Sequence, residues 1–556
     1  MHLIHQKEYG CIIYFQLSRF VLYILIIKFV KFCKLLHVRN FEMHAKIFSA
    51  TTIGVDAHVV EVEVDISFGL VNFYIVGLPD TAIKESNKRI LTSLKNAGFR
   101  LPAKKITVNL APADLKKEGT LFDLPIAIGI LLANQSLEVP KEFLQETLFL
   151  GELSLDGSIR FIKGALAIAF DAQRLGKKRI IVPKDNMQEA ALIKDLEVIG
   201  VDHLVELIAY LRGEQNIKPA QCIFDEHVAV NAQTSLDFSQ VKGQQVAKRA
   251  LQIAAAGRHN ILFIGSPGSG KTMLAKRLDS IMPPMTFGQI LETSKIYSIT
   301  GKLTNKSLLT KRAFRSPHHT ISQAGLVGGG TYPQPGEISL AHHGILFLDE
   351  LTEFRRDTLE ALRQPLESKT VSISRVAQSV SFPASFLLIA ALNPCPCGFF
   401  GDKKRQCTCS RQQIVKYIGK LSGPLLDRID LQVHVQSIEY DSIKTSVETQ
   451  SSAQLYEKVL VAQATQEKRF GTPEIYNNFM TADQVEKYCI LTPAAEIIIR
   501  KAFDKLNLSM RGYHKVLKVA RTIADLAACD EIDVAHIQEA IMYRSLDQYL
   551  EKEAQQ

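Results

Sequence analysis

The residues best suited to chemistry are Gly265-Ser266-Pro267-Gly268-Ser269-Gly270-Lys271-Thr272. An apolar run, Ile261–Ile264, leads into them, and a helical pattern, Met273–Leu278, follows. Glycines at this spacing let backbone N–H groups turn inward around phosphate oxygens. The N-terminus of the following helix adds the positive end of its dipole. Lys271 is placed to reach the β- and γ-phosphates, and the Thr272 hydroxyl to ligate Mg²⁺. An ordinary glycine turn requires neither the lysine nor the strand–loop–helix context, so ATP and Mg²⁺ are the expected cofactors.

Hydrolysis needs an acidic partner. Ile345-Leu346-Phe347-Leu348 reads as a buried strand ending in Asp349-Glu350. Asp349 is expected to hold Mg²⁺ through water, and Glu350 to polarise the attacking water. A third apolar strand, Phe386–Leu392, ends in Asn393. A polar side chain there can touch γ-phosphate or water. By itself an asparagine at that place also fits a residue that only ends a strand.

Elements able to position these groups are legible around them. From Ala45 to about Gly213 strand and helix patterns alternate: Val55–Ile66, Lys105–Leu110 and Arg179–Pro183 as strands, Thr81–Ala97 and Leu124–Ala133 as helices. Residues 214–236 begin polar and without periodicity, as a linker does. A second α/β region spans 237–435, and helical stripes at Tyr456–Val461, Ala494–Leu506 and Val516–Leu526 fill 436–556. The expected fold class is α/β: an N-terminal α+β domain (43–213), a P-loop core and a C-terminal helical lid.

The chain has 556 residues, 46% of them apolar, ample for several packed domains. Its net charge is +9, of which residues 1–42 hold +4, so global charge argues little about nucleic acid. Within 1–42 the uninterrupted apolar run, Phe20–Ile27, is shorter than the roughly 20 residues a membrane span needs. No small-residue cleavage site follows it, as a signal peptide requires. The Ile-, Phe-, Lys- and Tyr-rich composition is that of translated AT-rich non-coding DNA, and translation is expected to start at Met43. No stable membrane association is expected. The cysteines do not form the even framework of a secreted domain, which places the chain in the reducing cytoplasm.

Longer motifs make the pattern specific. They are Phe314-Arg315-Ser316-Pro317-His318-His319, Gly328-Gly329-Gly330, Pro335-Gly336-Glu337-Ile338-Ser339-Leu340-Ala341-His342, Asn393-Pro394-Cys395-Pro396-Cys397-Gly398 and Leu421-Ser422-Gly423-Pro424-Leu425-Leu426-Asp427-Arg428-Ile429-Asp430. On these the sequence resembles the YifB/ComM family of magnesium-chelatase-like AAA+ ATPases over Ala45–Gln556. The resemblance implies that Val241-Lys242-Gly243-Gln244 flanks the adenine and that Asn393 is sensor 1. It further implies that Arg428 is an arginine finger and Arg511 is sensor 2, a task Arg521 is placed to share. It also implies a homo-hexameric ring and DNA as partner, one branch of the family driving branch migration in natural transformation. A chelatase-like motor acting on a protein partner is the alternative.

The N-terminal region resembles the proteolytic domain of Lon proteases through Gly151–Gly157 and Ile181–Asn186. Its serine stretch is replaced by Lys117-Glu118-Gly119-Thr120-Leu121-Phe122-Asp123-Leu124-Pro125, and the lysine position falls at or near Leu166. Nucleophile and base are both missing.

Two further features have no assigned chemistry. Cys395, Cys397, Cys407 and Cys409 suit tetrahedral Zn²⁺; the CxC spacing is tighter than the usual CxxC, and reduced free thiols are the other reading. Between Glu350 and Asn393, Glu353–Gln364 reads as a helix that Pro365 ends or kinks. Thr370–Ser374 and Gln378–Phe382 read as hairpin strands around Arg375-Val376-Ala377. The family resemblance implies that such a hairpin faces a ring channel, where Arg375 at the tip offers a phosphate contact; packing against a neighbouring subunit is the other reading. Gly325–Gly336 is expected as a mobile loop beside it.

Overall fold

The computed structural model describes residues 43–101, 103–221, 236–303, 308–330, 333–375, 378–402, 404–437, 450–506 and 508–544. The expected extension 1–42, most of the linker 214–236, residues 376–377 and the side chain of Arg375 lie outside that description. The chain divides into two compact units. One holds the residues up to Ser49 with Val60–Arg160 and Val201–Asn216; the other holds Ala50–Val59, Phe161–Gly200 and Ile217 onward.

In the first unit Glu61–Ser67 pairs antiparallel with Lys105–Ala111, which pairs parallel with Asn72–Val76. Strict alternation turns Ile106, Val108 and Leu110 inward, as period-two patterning requires. Ile83, Ile90 and Leu94 of helix Thr81–Asn96 are also buried, and the Asp80 side chain caps that helix at the Ile83 N–H. Helix Asp123–Ala133 is apolar on every side and almost wholly buried, the condition under which a helix needs no polar face.

The second unit is built on a five-stranded parallel sheet, numbered here β1 (Ile261–Ile264), β2 (Phe314–Arg315), β3 (Ile345–Leu348), β4 (Leu387–Leu392) and β5 (Leu431–His434). Their spatial order is β2–β3–β4–β1–β5, every pair parallel. A parallel sheet covered on both faces explains why β1, β3 and β4 are unbroken apolar runs. Ile261, Phe263, Ile345, Phe347 and Ile389 enter one cluster; Leu262, Ile264, Leu346, Leu348 and Leu388 enter the other. The first cluster also takes in helix Gln245–Gly257 and the C-terminal helices Ser452–Phe470, Pro493–Lys505, Met510–Leu526 and Val534–Met542. Phe263 is fully buried at its centre, and truncation to Ala should cost about 3–5 kcal/mol.

Three expectations needed correction. Glu353–Gln364 is not one helix but a 3₁₀ turn and two short helices, Arg356–Glu360 and Arg363–Ser368. Pro365 does not end a helix; it sits in the first turn of Arg363–Ser368, where its missing N–H has no intrahelical acceptor to lose. The Gly-rich segment forms a helical turn, Gln323–Val327, and a hairpin pairing Gly328 with Pro335 and Gly329 with Gln334. The expected hairpin is present: Thr370–Arg375 pairs antiparallel with Gln378–Pro383, and Val371, Ile373, Val380 and Phe382 root it in the second cluster.

Candidate active site

β1 delivers the phosphate loop. Gly265 leaves the strand so close to Val435 that a Cβ would lie 2.3 Å from its carbonyl oxygen, which no side chain survives. The buried Lys271 ammonium folds back onto the loop, donating to the Gly265 and Ser266 carbonyls at 2.7 and 3.0 Å and to Asn393 Oδ1 at 3.2 Å. Burial lowers its pKa, against the pull of Asp349 and Glu350. The Thr272 hydroxyl donates to Asp349 Oδ2 at 2.8 Å. That bond consumes the hydroxyl proton and leaves the oxygen lone pairs free for a cation, with Asp349 beside them. The Gln244 side chain donates to the Ser269 carbonyl at 3.3 Å and to that of Gln436 at 2.7 Å. The Val241–Gln244 segment thus adjoins the loop. Lys271, Thr272, Asp349 and Asn393, read from three separate strands, are brought together.

Glu350 stands apart from this group. Its φ of +52° is left-handed, a conformation costing a non-glycine residue about 1–2 kcal/mol. The carboxylate is half exposed and lies 3.6 Å from His319 Nδ1. His319 stacks near His318 and meets the edge of Phe354. His319 stands in a motif of the sequence, but its meeting with Glu350 is not legible there, because it depends on β2 lying beside β3.

Arg428 and Arg511 are not brought to Lys271. Arg428 donates to the carbonyls of Arg363 and Pro424 and to Glu367 Oε2 at 2.5 Å. Arg511 donates to the other oxygen of Glu367 at 2.8 Å. Arg511 occupies the first turn of helix Met510–Leu526, where a cation opposes the helix dipole. Both line a cavity of about 470 Å³ together with Arg258, Lys369, Lys515 and Lys518. Burial, then Lys518 and Arg258, push Lys369 down to about 7. Asp430 is consumed by Lys515 at 2.7 Å and by the Asn260 N–H at 2.9 Å. Arg521 does not join them: it is fully buried, bonded to Asp525 at 3.0 Å and to the carbonyls of Cys529 and Asp530.

Several motif residues are scaffold. Arg315 and Glu337 form a bidentate pair at 2.6 and 2.7 Å. Glu292 accepts from His342 and His343 at 3.2 and 2.8 Å. The Ser385 N–H donates to His342 Nδ1, which fixes the Nε2–H tautomer and removes that nitrogen from metal ligation. In the first unit, Asp123 pairs with Arg89 and Thr120 donates to Glu152. Burial, only partly offset by Arg89, lifts the Asp123 carboxyl to about 6. Leu166, in the second unit, is buried among Leu192, Met285 and Ile290.

The four cysteines converge as the sequence suggested. Sγ separations are 3.2 Å for Cys395–Cys397, 3.6 Å for Cys395–Cys407 and 3.5 Å for Cys397–Cys407. All four sulfurs lie within 4.8 Å of one another.

A β2–β3–β4–β1–β5 sheet with a phosphate loop after β1 and acids after β3 defines a P-loop protein of the AAA+ type. Family comparisons agree. "Magnesium chelatase, subunit ChlI" matches residues 237–443, "Subunit ChlI of Mg-chelatase" 62–186, and "Magnesium chelatase, subunit ChlI C-terminal" 449–544. The competence protein ComM of Haemophilus influenzae is 44% identical over 510 residues, covering 91% of this chain and 99% of that protein. YifB of Escherichia coli is 41% identical over 508 residues, covering 91% and 97%. The chain belongs to the YifB/ComM family of magnesium-chelatase-like AAA+ proteins. A more distant likeness, 24% over 241 residues, links 41% of the chain to 28% of an MCM-type protein of Methanocaldococcus jannaschii. Among the described residues no helix is long and apolar enough to cross a membrane.

Proposed function

We propose that this chain is an ATP-hydrolysing motor that works as a homo-hexameric ring on DNA. The observation that carries the hydrolytic part is the meeting of Lys271, Thr272, Asp349 and Asn393 at one strand edge. In this reading Lys271 exchanges the carbonyls of Gly265 and Ser266 for phosphate oxygens. Thr272 ligates Mg²⁺ directly and Asp349 through water. Asn393 acts as sensor 1 beside the γ-phosphate. Glu350 turns from His319 to orient the attacking water. Zinc at the four cysteines completes the cofactors.

The ring part of the reading is supported by where the arginines stand. Arg428 and Arg511 are gathered on Glu367, with surplus cations around them and no phosphate loop lining their cavity. A guanidinium presented across a subunit boundary supplies charge to the phosphoryl group being transferred in the neighbour. Arg428 is assigned that role here, as finger, and Arg511 is assigned as sensor 2 on the helical lid.

DNA as substrate is supported by relatives and by the hairpin. One relative is named a competence protein, and a fainter one, 18% identical over 371 residues, a DNA replication licensing factor of Xenopus tropicalis. The Thr370–Pro383 hairpin has an apolar base and a tip carrying Arg375. The three chelatase-subunit matches favour the second reading, a motor that remodels a protein partner. ATP turnover with and without single-stranded or branched DNA separates the two. Stimulation that fades with salt is expected for the DNA motor; turnover indifferent to DNA would support the chelatase-like role.

A further inference from the structure

The cysteine segment begins two residues after Asn393, and its fold brings it back over the phosphate loop. Gly398 adopts φ +85°, and a Cβ there would stand 2.7 Å from the Pro267 ring. The Asp402 carboxylate is held below its usual range, chiefly by a hydrogen bond from the Ser266 hydroxyl. The helix that follows, Arg411–Ile418, starts in a capping box, and its Ile414, Tyr417 and Ile418 pack with Cys395. Beyond it, Lys420 donates to the Thr352 carbonyl at 3.1 Å, two residues past Glu350. One short segment therefore touches the loop that would hold phosphate, the asparagine beside it and the chain behind the candidate base.

The donor set fits zinc. A Zn–S bond of about 2.3 Å in tetrahedral geometry sets sulfurs about 3.8 Å apart, close to the 3.2–3.6 Å found. A disulfide would need about 2.05 Å. Three backbone N–H groups point at sulfur: Phe400 to Cys395, Cys409 to Cys407 and Cys397 to Cys409, at 3.3, 3.4 and 3.3 Å. Such donors stabilise negative sulfur, as a thiolate set around a cation requires. Four cysteines fill a tetrahedron and leave no position for a substrate.

We propose that Cys395, Cys397, Cys407 and Cys409 hold a structural Zn²⁺ that braces the phosphate loop through Gly398 and Asp402, so that metal occupancy sets nucleotide affinity. This rests on the zinc and nucleotide assignments above. Without the ion, the 395–409 loop loses the cross-link that holds Gly398 against Pro267 and Asp402 against Ser266. The phosphate loop must then be ordered by the nucleotide itself, at the expense of affinity.

The test uses the full chain expressed with zinc and purified without chelators. Zinc content is measured by atomic emission, and affinity for a fluorescent ATP analogue with Mg²⁺ by titration. These are repeated after thiol-directed zinc removal, after zinc is returned, and for Asp402→Ala. The expected results are about one zinc per chain, affinity weakened about tenfold on removal and recovered on return. Asp402→Ala should keep its zinc and bind about threefold to tenfold more weakly, a readout that survives even if the stripped chain unfolds. Zinc absent from the purified chain overturns the metal site, whatever the nucleotide result. Zinc present with Asp402→Ala and the stripped protein binding as tightly as wild type overturns the brace alone and leaves the ATPase reading standing.

Discussion

Lys271 and Thr272 find their acceptors inside one small cluster: carbonyls of the loop and Asn393 for Lys271, and Asp349 for Thr272. Around Arg428 and Arg511 the balance is the reverse. Two guanidinium groups share one carboxylate, Glu367, while Lys369, Lys518 and Arg258 crowd the same cavity. Asp430, the other acid there, is already spent on Lys515 and a backbone N–H. In the proposed reading the first region is a receptor for nucleotide that still needs a cation from a neighbour. The second is a donor with excess positive charge and no phosphate loop of its own in reach. On the ring reading proposed above, the contrast is that of two halves of different sites held by one chain.

The largest expected effects fall on the receptor. Lys271→Ala should abolish nucleotide binding. Glu350→Gln should retain nucleotide yet lose turnover by about 10²–10⁴-fold, the range for a lost general base; equilibrium binding and steady-state phosphate release check both. Wild-type turnover in Glu350→Gln would remove it from the chemistry. On the donor side, Arg428→Ala should lower turnover by about 10³-fold or more with binding intact. Arg511→Ala should follow in the same direction with a smaller loss, since its side chain is half exposed and Arg428's is largely buried. Loss of nucleotide binding by the Arg511 variant alone would separate the two arginines and break the pairing.

Glu367→Gln sharpens the comparison from its other side. Glu367 itself is half exposed, and an exposed ion pair contributes about 0–1 kcal/mol, so thermal stability should move little. Arg511 loses its carboxylate, while Arg428 keeps the Arg363 and Pro424 carbonyls. A fall in turnover as deep as that of Arg428→Ala would mean that Glu367 positions the finger. The smallest effect is expected at the hairpin. Arg375→Ala should weaken DNA binding and reduce its salt dependence by about one phosphate contact, with ATPase activity in the absence of DNA unchanged. Normal unwinding of branched DNA by that variant would remove Arg375 from the mechanism.

What could be read beforehand divides along physical lines. Parallel strands buried on both faces announce themselves as Ile261–Ile264 and Ile345–Leu348, and the phosphate loop has a local motif. Glu367 has an ordinary surface residue type and no motif, and His319 stands in a motif with no role attached to it. Their roles come from meetings across 61 and 144 residues for Glu367, and from neighbouring strands for His319. Arg521 misled through its spacing. Ten residues turn a helix by about 1000°, leaving Arg521 about 80° off the direction of Arg511, and it points into the core to cap carbonyls at its own helix end. Pro365 misled because a proline that breaks a helix interior is equally at home in a first turn.

Mixing two inactive proteins tests whether each chain completes its neighbour's site. Lys271→Ala subunits lack the receptor and keep Arg428; Arg428→Ala subunits keep the receptor and lack the finger. Co-assembled at varied ratios, and shown by subunit exchange to share rings, they should recover ATP turnover, with a maximum at intermediate mixtures. Turnover that stays at the level of either parent at every ratio, in rings proven to be mixed, would contradict the account.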